Sequence, residues 1–544
     1  MRYLLAQINP IIGDLAYNTE KILRSIEVAK NSDCDLVIFP EMALTGYPPE
    51  DLLLDPSFLS GVEEACHKVE QASRGIGVLV GLVRKSGNRL GKALLNSAAF
   101  LLDGKVMGYH DKMLLPTYDV FDERRYFAPG KSPWTFSYKG KKIGVLICED
   151  VWQHGSYLEE AYLEDPVKTL QSASLDLVIN IAASPYYFAK HFVRKEVFSP
   201  VISTLGCPLL FCNQVGANDS LIFDGRSCVI SAKGETLLEA KPFVEEHLLF
   251  DDAALSKKAL PKEDPTEMLI EALCLGIADY FAKQGFTKAV VGVSGGIDSA
   301  LVLYLAQKAL GKNQVQGLFM PSRFTSKESG EDASFLAKNL EVALETVSIE
   351  PLFERYLEVL ESAFHKRPFG VTKENLQSRI RGMLLMAYSN QFGHIVLSTG
   401  NKSEMALGYA TLYGDLCGGL SVLGDLKKTE VYALARWIHR HEGGIIPERI
   451  LTKEASAELK EGQKDRDTLP PYEVIDQIVE GYLERGEPPE VLAKKRGVDL
   501  ALTRSLIEKI HQAEYKRRQA PLALRVSRKA FSKGRIYPIV QGFR

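Results

Sequence analysis

The chain has 544 residues, and its 66 Lys and Arg nearly balance 69 Asp and Glu, for a formal net charge of −3. That length predicts more than one domain. A 46% hydrophobic and 25% charged composition fits an ordinary soluble globular protein with ample core. The basic residues are scattered with no long run, which argues against a nucleic-acid-binding surface. No apolar run reaches membrane-spanning length. The opening RYLLAQI reads as a strand, not as a secretory signal. The eight cysteines (34, 66, 148, 207, 212, 228, 274 and 417) form no CxxC pair and no zinc-type Cys/His spacing. They read as reduced thiols of a cytosolic protein. His439 and His441 stand two apart, a spacing that does not share a helix face, so they read as solvated.

Residues 1–252 alternate short apolar strands with helical stretches, for example 35–39 (DLVIF), 77–82 (GVLVGL), 142–147 (KIGVLI) and 176–180 (DLVIN). Glu41 follows the first of these in FPEMALTGYPPEDL. Lys112 lies in HDKMLLPTY, and Cys148 ends the strand 142–147 in CEDVW. Strand ends are where α/β folds gather chemistry. Read singly, Cys148 is as readily core as catalytic, Glu41 fits a solvated strand end, and Lys112 fits an ion pair with Asp111. Read together, they meet a need: a thiol requires a base to become a thiolate and a cation to steady the oxyanion it creates.

Residues 253–267 (AALSKKALPKEDPTE) are polar, charged and carry two prolines, which predicts a linker. A helical pattern begins at Met268. A buried-strand run, 289–293, then leads into SGGIDS (294–299) and another helix, the opening of a parallel sheet flanked by helices over 268–544. Glycines at 295 and 296 let backbone amides approach a ligand, and the helix start favours an anion. Ser294 and Ser299 add hydroxyls, and Asp298 beside phosphate makes sense with Mg²⁺ between them. The string is not GxxxxGK[ST], so a Walker-type site is excluded. Further along, ENLQSRIRG (374–382) offers Asn375 and Arg379; alone, its arginines fit a solvated helix face. LSTGNKSE (397–404) ends a strand in a polar turn, YATL (409–412) follows, and EGQKDRDT (461–468) reads as a mobile loop. A basic cluster, YKRRQ (515–519), stands near the end and alone fits surface charge.

The first half, on Glu41, Lys112 and Cys148 in that order, resembles the nitrilase superfamily, which implies an α-β-β-α sandwich. The resemblance implies that Cys148 attacks the amide carbon of glutamine, Glu41 is the base, and Lys112 stabilises the tetrahedral intermediate. It places Tyr118, Ser184 and Lys190 at glutamine and offers Glu123 as a second carboxylate. The second half, on SGGIDS, is similar to the N-type ATP pyrophosphatases, with a Rossmann-like sheet. Its later motifs resemble those of NAD synthetases. That resemblance implies ATP contacts at Gly292, Val293, Ser294, Gly295, Gly296, Ile297, Asp298, Ser299, Thr399, Lys428 and Ser456. It implies deamido-NAD contacts at Asn375, Arg379, Glu404, Tyr409, Ala410, Thr411, Leu412 and Lys516, and Mg²⁺ at Asp298 and Glu404. Joined, the halves resemble the glutamine-dependent NAD synthetase family. The expected reaction frees ammonia from glutamine through a thioester, adenylylates deamido-NAD with ATP, and displaces AMP with ammonia. A homo-oligomer and a sheltered ammonia passage are also expected. Three other readings stay open at this point: a different acceptor, as in GMP or asparagine synthetase; a hydrolase with a nucleotide-sensing half; and a non-catalytic assembly subunit.

Overall fold

The computed structural model describes residues 1–87, 91–155, 162–253, 263–365 and 367–543. It divides into two compact units, Met1–Glu263 and Asp264–Arg544. In chain order the first unit carries β1 (Arg2–Gln7), β2 (Leu36–Ile38), β3 (Gly77–Lys85), β4 (Leu94–Leu102), β5 (Lys105–Asp111), β6 (Trp134–Tyr138) and β7 (Lys141–Ile147). It continues with β8 (Leu177–Ala182), β9 (Leu209–Asn213), β10 (Val215–Asn218), β11 (Leu221–Asp224), β12 (Cys228–Ile230), β13 (Thr236–Glu239) and β14 (Glu246–Asp251).

Two six-stranded sheets result, ordered β14-β1-β2-β3-β4-β5 and β13-β12-β9-β8-β7-β6, with β10 and β11 as a separate hairpin. Alternation along β1 explains how the layers stack. Tyr3 and Leu5 join a core with Ile143, Val145, Ile179 and Leu210 of the second sheet. Leu4 and Ala6 point the other way, onto Ile22, Ile26 and Val62 of the helices Leu15–Asn31 and Pro56–Ala72. Val197, Val201 and Ile202 of the helix Lys190–Leu205 cover the far side of the second sheet. The order is helix, sheet, sheet, helix, as an α-β-β-α sandwich requires. Each fully buried Leu, Ile or Val in these layers contributes about 1.5–3 kcal/mol.

Asp-Pro pairs start helices in this chain. Asp55, Asp165 and Asp264 each cap a helix whose first residue is proline, their carboxylates accepting the N–H of Ser57, Lys168 and Thr266. The third pair lies within the segment whose prolines predicted a linker. The helix Pro265–Gln284 therefore begins ahead of Met268, because Pro265 occupies the first helical position, where no intrahelical partner awaits its missing N–H. Residues 254–262 of that segment lie outside the described residues.

The second unit has one fully parallel sheet of β15 (Ala289–Gly292), β16 (Val315–Phe319), β17 (Ala343–Thr346), β18 (Ile395–Ser398), β19 (Leu420–Ser421) and β20 (Leu522–Ala523). Its order is β17-β16-β15-β18-β19-β20. The chain thus winds outward one way from β15 through β16 and β17, then returns to β18 on the other side. The crevice beyond the carboxyl ends of β15 and β18 is the topological switch point, where open α/β sheets bind ligands. Among the described residues no helix is long and apolar enough to cross a membrane.

Candidate functional site

In the first unit three strand ends supply one buried cluster. Glu41 follows β2, Lys112 follows β5, and Cys148 follows β7 at a left-handed φ of 43°. A non-glycine residue held there costs about 1–3 kcal/mol, and such strain persists only where the surroundings over-determine it. Lys112 Nζ donates to Glu41 Oε1 at 2.8 Å and to Glu123 Oε1 at 2.6 Å. All three side chains are at most 4% exposed. Buried charges of this kind persist only when the remaining lone pairs are also satisfied, and here they are. Asn96 Nδ2 donates to Glu41 Oε1 at 2.7 Å and to Glu123 Oε2 at 3.4 Å. The Ala183 N–H donates to Glu41 Oε2 and the Tyr47 hydroxyl to Glu123 Oε1, both at 2.9 Å. Lys112 is accordingly paired with Glu41 and Glu123, not with Asp111, which pairs with Arg84.

These charges set the resting protonation. Burial first, then Glu41, push the Cys148 thiol well above its usual range, with Lys112 opposing. Burial disfavours the Lys112 ammonium, but Glu123 and Glu41 more than offset this and hold its pKa well above the ordinary lysine value. Burial, against Lys112 but with Glu41, pushes Glu123 up to about 7. The resting thiol is therefore protonated and needs a base before it can attack.

Two residues directly after Cys148 went unremarked in the sequence. The Asp150 carboxylate accepts the N–H groups of Met113 and Leu114 at 3.0 Å, the N–H of Ile147 at 2.9 Å, and Nε2 of fully buried His110 at 2.9 Å. It ties the segment after Lys112 to the turn bearing Cys148. Glu149 is buried and accepts the hydroxyls of Tyr118 at 2.7 Å and Tyr162 at 3.2 Å; burial raises its pKa against those bonds. The unbroken string CEDVW was the signal for both.

The residues expected at glutamine are distributed around this turn. Tyr118 reaches Glu149. Lys190 Nζ donates to the Pro185 carbonyl at 2.7 Å and stands over the Trp152 and Tyr187 rings at 5.5 and 5.2 Å. Ser184 accepts from Arg194 Nε at 3.3 Å, and Arg194 itself pairs with buried Asp224 at 2.7 and 2.8 Å.

In the second unit a cleft of about 500 Å³ opens at the switch point. Its lining includes Gly292, Val293, Ser294, Gly296, Ile297, Asp298 and Ser299 of the glycine turn, with Asn375, Thr399, Glu404, Tyr409, Ala410, Thr411, Lys428, Ser456 and Lys516. Gly295 does not line it. At φ 79° its missing Cβ would stand 2.3 Å from the Ser329 carbonyl oxygen, so the close approach of a neighbouring helix start requires a glycine here. Arg379 and Leu412 do not line it either. Arg379 is exposed and donates to the Leu412 carbonyl at 3.1 Å, bracing the YATL loop.

Charge concentrates beside the glycine turn. Lys428 Nζ donates to Asp298 Oδ2 at 2.5 Å and to Glu404 Oε1 at 3.3 Å, and Asn401 Nδ2 donates to Asp298 Oδ1 at 2.9 Å. Asn401 also caps the helix Lys402–Leu407, with Glu404 returning to its N–H. Burial, against Lys428 but with Asp298, raises Glu404 to about 7.

Two expectations for this half change. The segment 461–468 is not solvated throughout: Asp465 is buried, its Oδ2 accepts from the Tyr472 hydroxyl at 2.8 Å, and it lines the cleft. Arg381 does not lie on a solvated face; it lines the cleft, donates to the Met320 carbonyl at 2.9 Å, and burial lowers its pKa to about 10. Lys453, unremarked in the sequence, lines the same wall and donates to Ser329, Ser326 and Glu458. At the end of the chain Lys516 Nζ donates to the carbonyls of Gly408 and Ala410 at 2.7 Å, fastening the basic cluster to the cleft.

Comparison with known proteins agrees with this division. Residues 5–163 match the carbon-nitrogen hydrolase family and residues 269–520 the NAD synthase family. The chain is 45% identical to the glutamine-dependent NAD(+) synthetase of Synechocystis, covering 99% of this chain and 98% of the relative. It is 41% identical to that of Thermotoga maritima, covering 100% and 99%. The solved structure of glutamine-dependent NAD+ synthetase from Acinetobacter baumannii, in complex with ADP, is similar at 38% identity and a TM-score of 0.79, over 99% of this chain and 98% of that one. Sheet order, the two site clusters and full-length similarity converge: the chain belongs to the glutamine-dependent NAD(+) synthetase family.

Proposed function

We propose that the chain makes NAD from deamido-NAD, ATP and glutamine, by way of a Cys148 thioester and an adenylylated nicotinate carboxylate. One observation carries this reading: a buried Glu–Lys–Cys cluster and a phosphate-loop cleft occur in one chain, each at strand ends of its own unit.

In the first unit Glu41 takes the thiol proton and Cys148 Sγ bonds to the amide carbon of glutamine. The carbonyl oxygen becomes an oxyanion next to the Lys112 ammonium. Collapse expels ammonia, which leaves with the proton carried by Glu41. Water, deprotonated by Glu41, then cleaves the thioester to glutamate and restores the thiol. Tyr118, Ser184 and Lys190 bind glutamine, and Glu149 fits the substrate ammonium, since it is a buried carboxylate whose present donors are neutral phenols.

In the second unit a free carboxylate is a poor electrophile. The nicotinate carboxylate attacks the α-phosphorus of ATP, pyrophosphate leaves, and ammonia displaces AMP. The amides of the glycine turn, Ser294, Ser299, Thr399, Lys428 and Ser456 hold the nucleotide, while Asn375, Tyr409–Leu412 and Lys516 hold deamido-NAD, with Arg379 bracing the loop. Magnesium fits Asp298 and Glu404. They are two hard oxygen donors at a phosphate loop, and this ion commonly takes one or two carboxylates plus substrate phosphates. Bound there, it would offset triphosphate charge. The purified chain with ATP, Mg²⁺, deamido-NAD and glutamine should yield NAD, AMP and glutamate in equal amounts. Glutamate without NAD, or ADP in place of AMP, would overturn the reading.

A further inference from the structure

Asn96 lies in β4, within the apolar run LLNSAAFLL, and is 1% exposed. A polar side chain at such a position needs a reason, because burying an amide costs free energy unless it is hydrogen-bonded. Its Nδ2 bonds to both carboxylates that hold Lys112, Glu41 at 2.7 Å and Glu123 at 3.4 Å. Its backbone carbonyl accepts the Lys112 N–H at 2.8 Å. Its Oδ1 is buried and has no partner among the described residues. The amide is therefore oriented for its donors alone, with the acceptor left unused.

We infer that Asn96 is a positioning residue for the glutaminase reaction, whose amide holds the Glu41 carboxylate aimed to take the Cys148 proton. The inference rests on the reading of Glu41 as the base. The charged and titratable groups around Glu41 are Lys112 beyond β5, Glu123 in the turn after it, Cys148 beyond β7 and Tyr47 in the loop beyond β2. Two carboxylates share a single ammonium here, so the cluster carries an excess negative charge whenever both are ionised. Among the described residues neutral donors are left to compensate it: Asn96, Tyr47 and the Ala183 amide. Of these, Asn96 alone touches both carboxylates. A side chain that only filled space would not need its nitrogen on this side.

The test compares N96A and N96D with the wild type in the full chain, following glutamate release across pH. Alanine keeps the backbone bond to Lys112 and removes only the amide. Aspartate keeps the shape and replaces the donors by an acceptor. In both variants kcat is expected to fall about 10- to 100-fold, the scale of a lost hydrogen bond to a charged group, with KM for glutamine unchanged. The acid limb of the profile is expected to move up, because a carboxylate that loses a hydrogen-bond donor protonates more readily. Above neutral pH, N96D should be slower than N96A. A packing role predicts the reverse order, since aspartate fills the site and alanine does not. An unmoved acid limb, or N96D as fast as the wild type, overturns the inference; should N96A fail to fold, N96D alone decides it. E41Q separates the two levels. If E41Q still hydrolyses glutamine, the reading of Glu41 fails. If E41Q is inactive while both Asn96 variants behave as wild type, only the role of Asn96 fails.

Discussion

Asp150 offers a perturbation whose cost can be worked from its partners. Its carboxylate accepts four hydrogen bonds, from the N–H groups of Met113, Leu114 and Ile147 and from His110, all between 2.9 and 3.0 Å and all buried. Asp150→Ala orphans those donors at about 1–3 kcal/mol each. The sum is comparable to the whole stability of a typical domain, about 5–15 kcal/mol, so D150A should not accumulate as a folded first unit. Asp150→Asn is graded. One amide oxygen still serves Met113 and Leu114. His110 can reverse its tautomer to accept from the new NH₂, because its Nδ1 has no other partner to lose. The Ile147 N–H then faces a donor, a loss of about 1–3 kcal/mol. For a unit of this size that lowers the unfolding midpoint by roughly 2–4 °C per kcal/mol. The damage falls one residue before Cys148, so glutamine hydrolysis should drop at least about tenfold, while ammonia-driven NAD synthesis in the second unit stays intact. Differential scanning calorimetry and the two activity assays read this directly. D150A with a wild-type melting profile, or D150N losing both activities equally, would refute the reasoning.

Four other outcomes are expected. C148A should abolish glutamine-driven synthesis and leave ammonia-driven synthesis, measured as NAD formed; losing both with the fold preserved contradicts two separate sites. D298N should cripple synthesis from either nitrogen source, and near-normal ammonia-driven turnover would remove Asp298 from the nucleotide site. Amide-labelled glutamine supplied with excess unlabelled ammonium should give NAD that retains most of the label, and dilution to the bulk ratio would show that ammonia escapes. Asp224 is raised by burial but lowered further by Arg194, which holds its carboxyl below the usual range. A depressed folded value contributes stability above the unfolded pKa of about 4 that is lost as pH falls through the folded value. The stability gap between wild type and D224N should therefore be full at pH 7 and shrink at pH 3, read by denaturant unfolding; a constant gap denies the ion pair its role.

The fold was legible where one physical rule acted alone. Strands such as 142–147 and 289–293 are continuous apolar runs because both faces are covered, and those runs are visible without coordinates. SGGIDS was legible as a turn between strand and helix because such a tight turn needs small residues. What the sequence concealed depends on neighbours far along the chain. Gly295 reads as a glycine for a ligand, and its packing against Ser329, which also requires glycine, is invisible in the string. Arg381 reads as solvent-facing, and only its fit beneath Met320 buries it. Asp465 sits in a string of charges that resembles a loose loop until Tyr472 closes over it. Asn96 and Asp150 are single polar residues in apolar or acidic strings, and their meaning lies in partners supplied by other strands.

The two sites also share an electrostatic device that no local motif states. Each places one lysine between two carboxylates: Lys112 between Glu41 and Glu123, and Lys428 between Asp298 and Glu404. Their exposure differs, and the difference follows the chemistry. In the first unit lysine and carboxylates are at most 4% exposed. Little of that cluster is open to solvent, which suits a reacting group that is a neutral amide, where the charge to manage is one that forms and vanishes on the carbonyl oxygen. In the second unit Lys428 is 3% exposed, but Asp298 and Glu404 are 20% and 19% exposed and face the cleft. On the proposed reading an arriving triphosphate brings several negative charges to this cluster, and the ammonium would turn toward phosphate as the carboxylates gain another cation. A sealed triad suits a transient oxyanion, and an open one suits a polyanionic substrate that brings its own counter-ion.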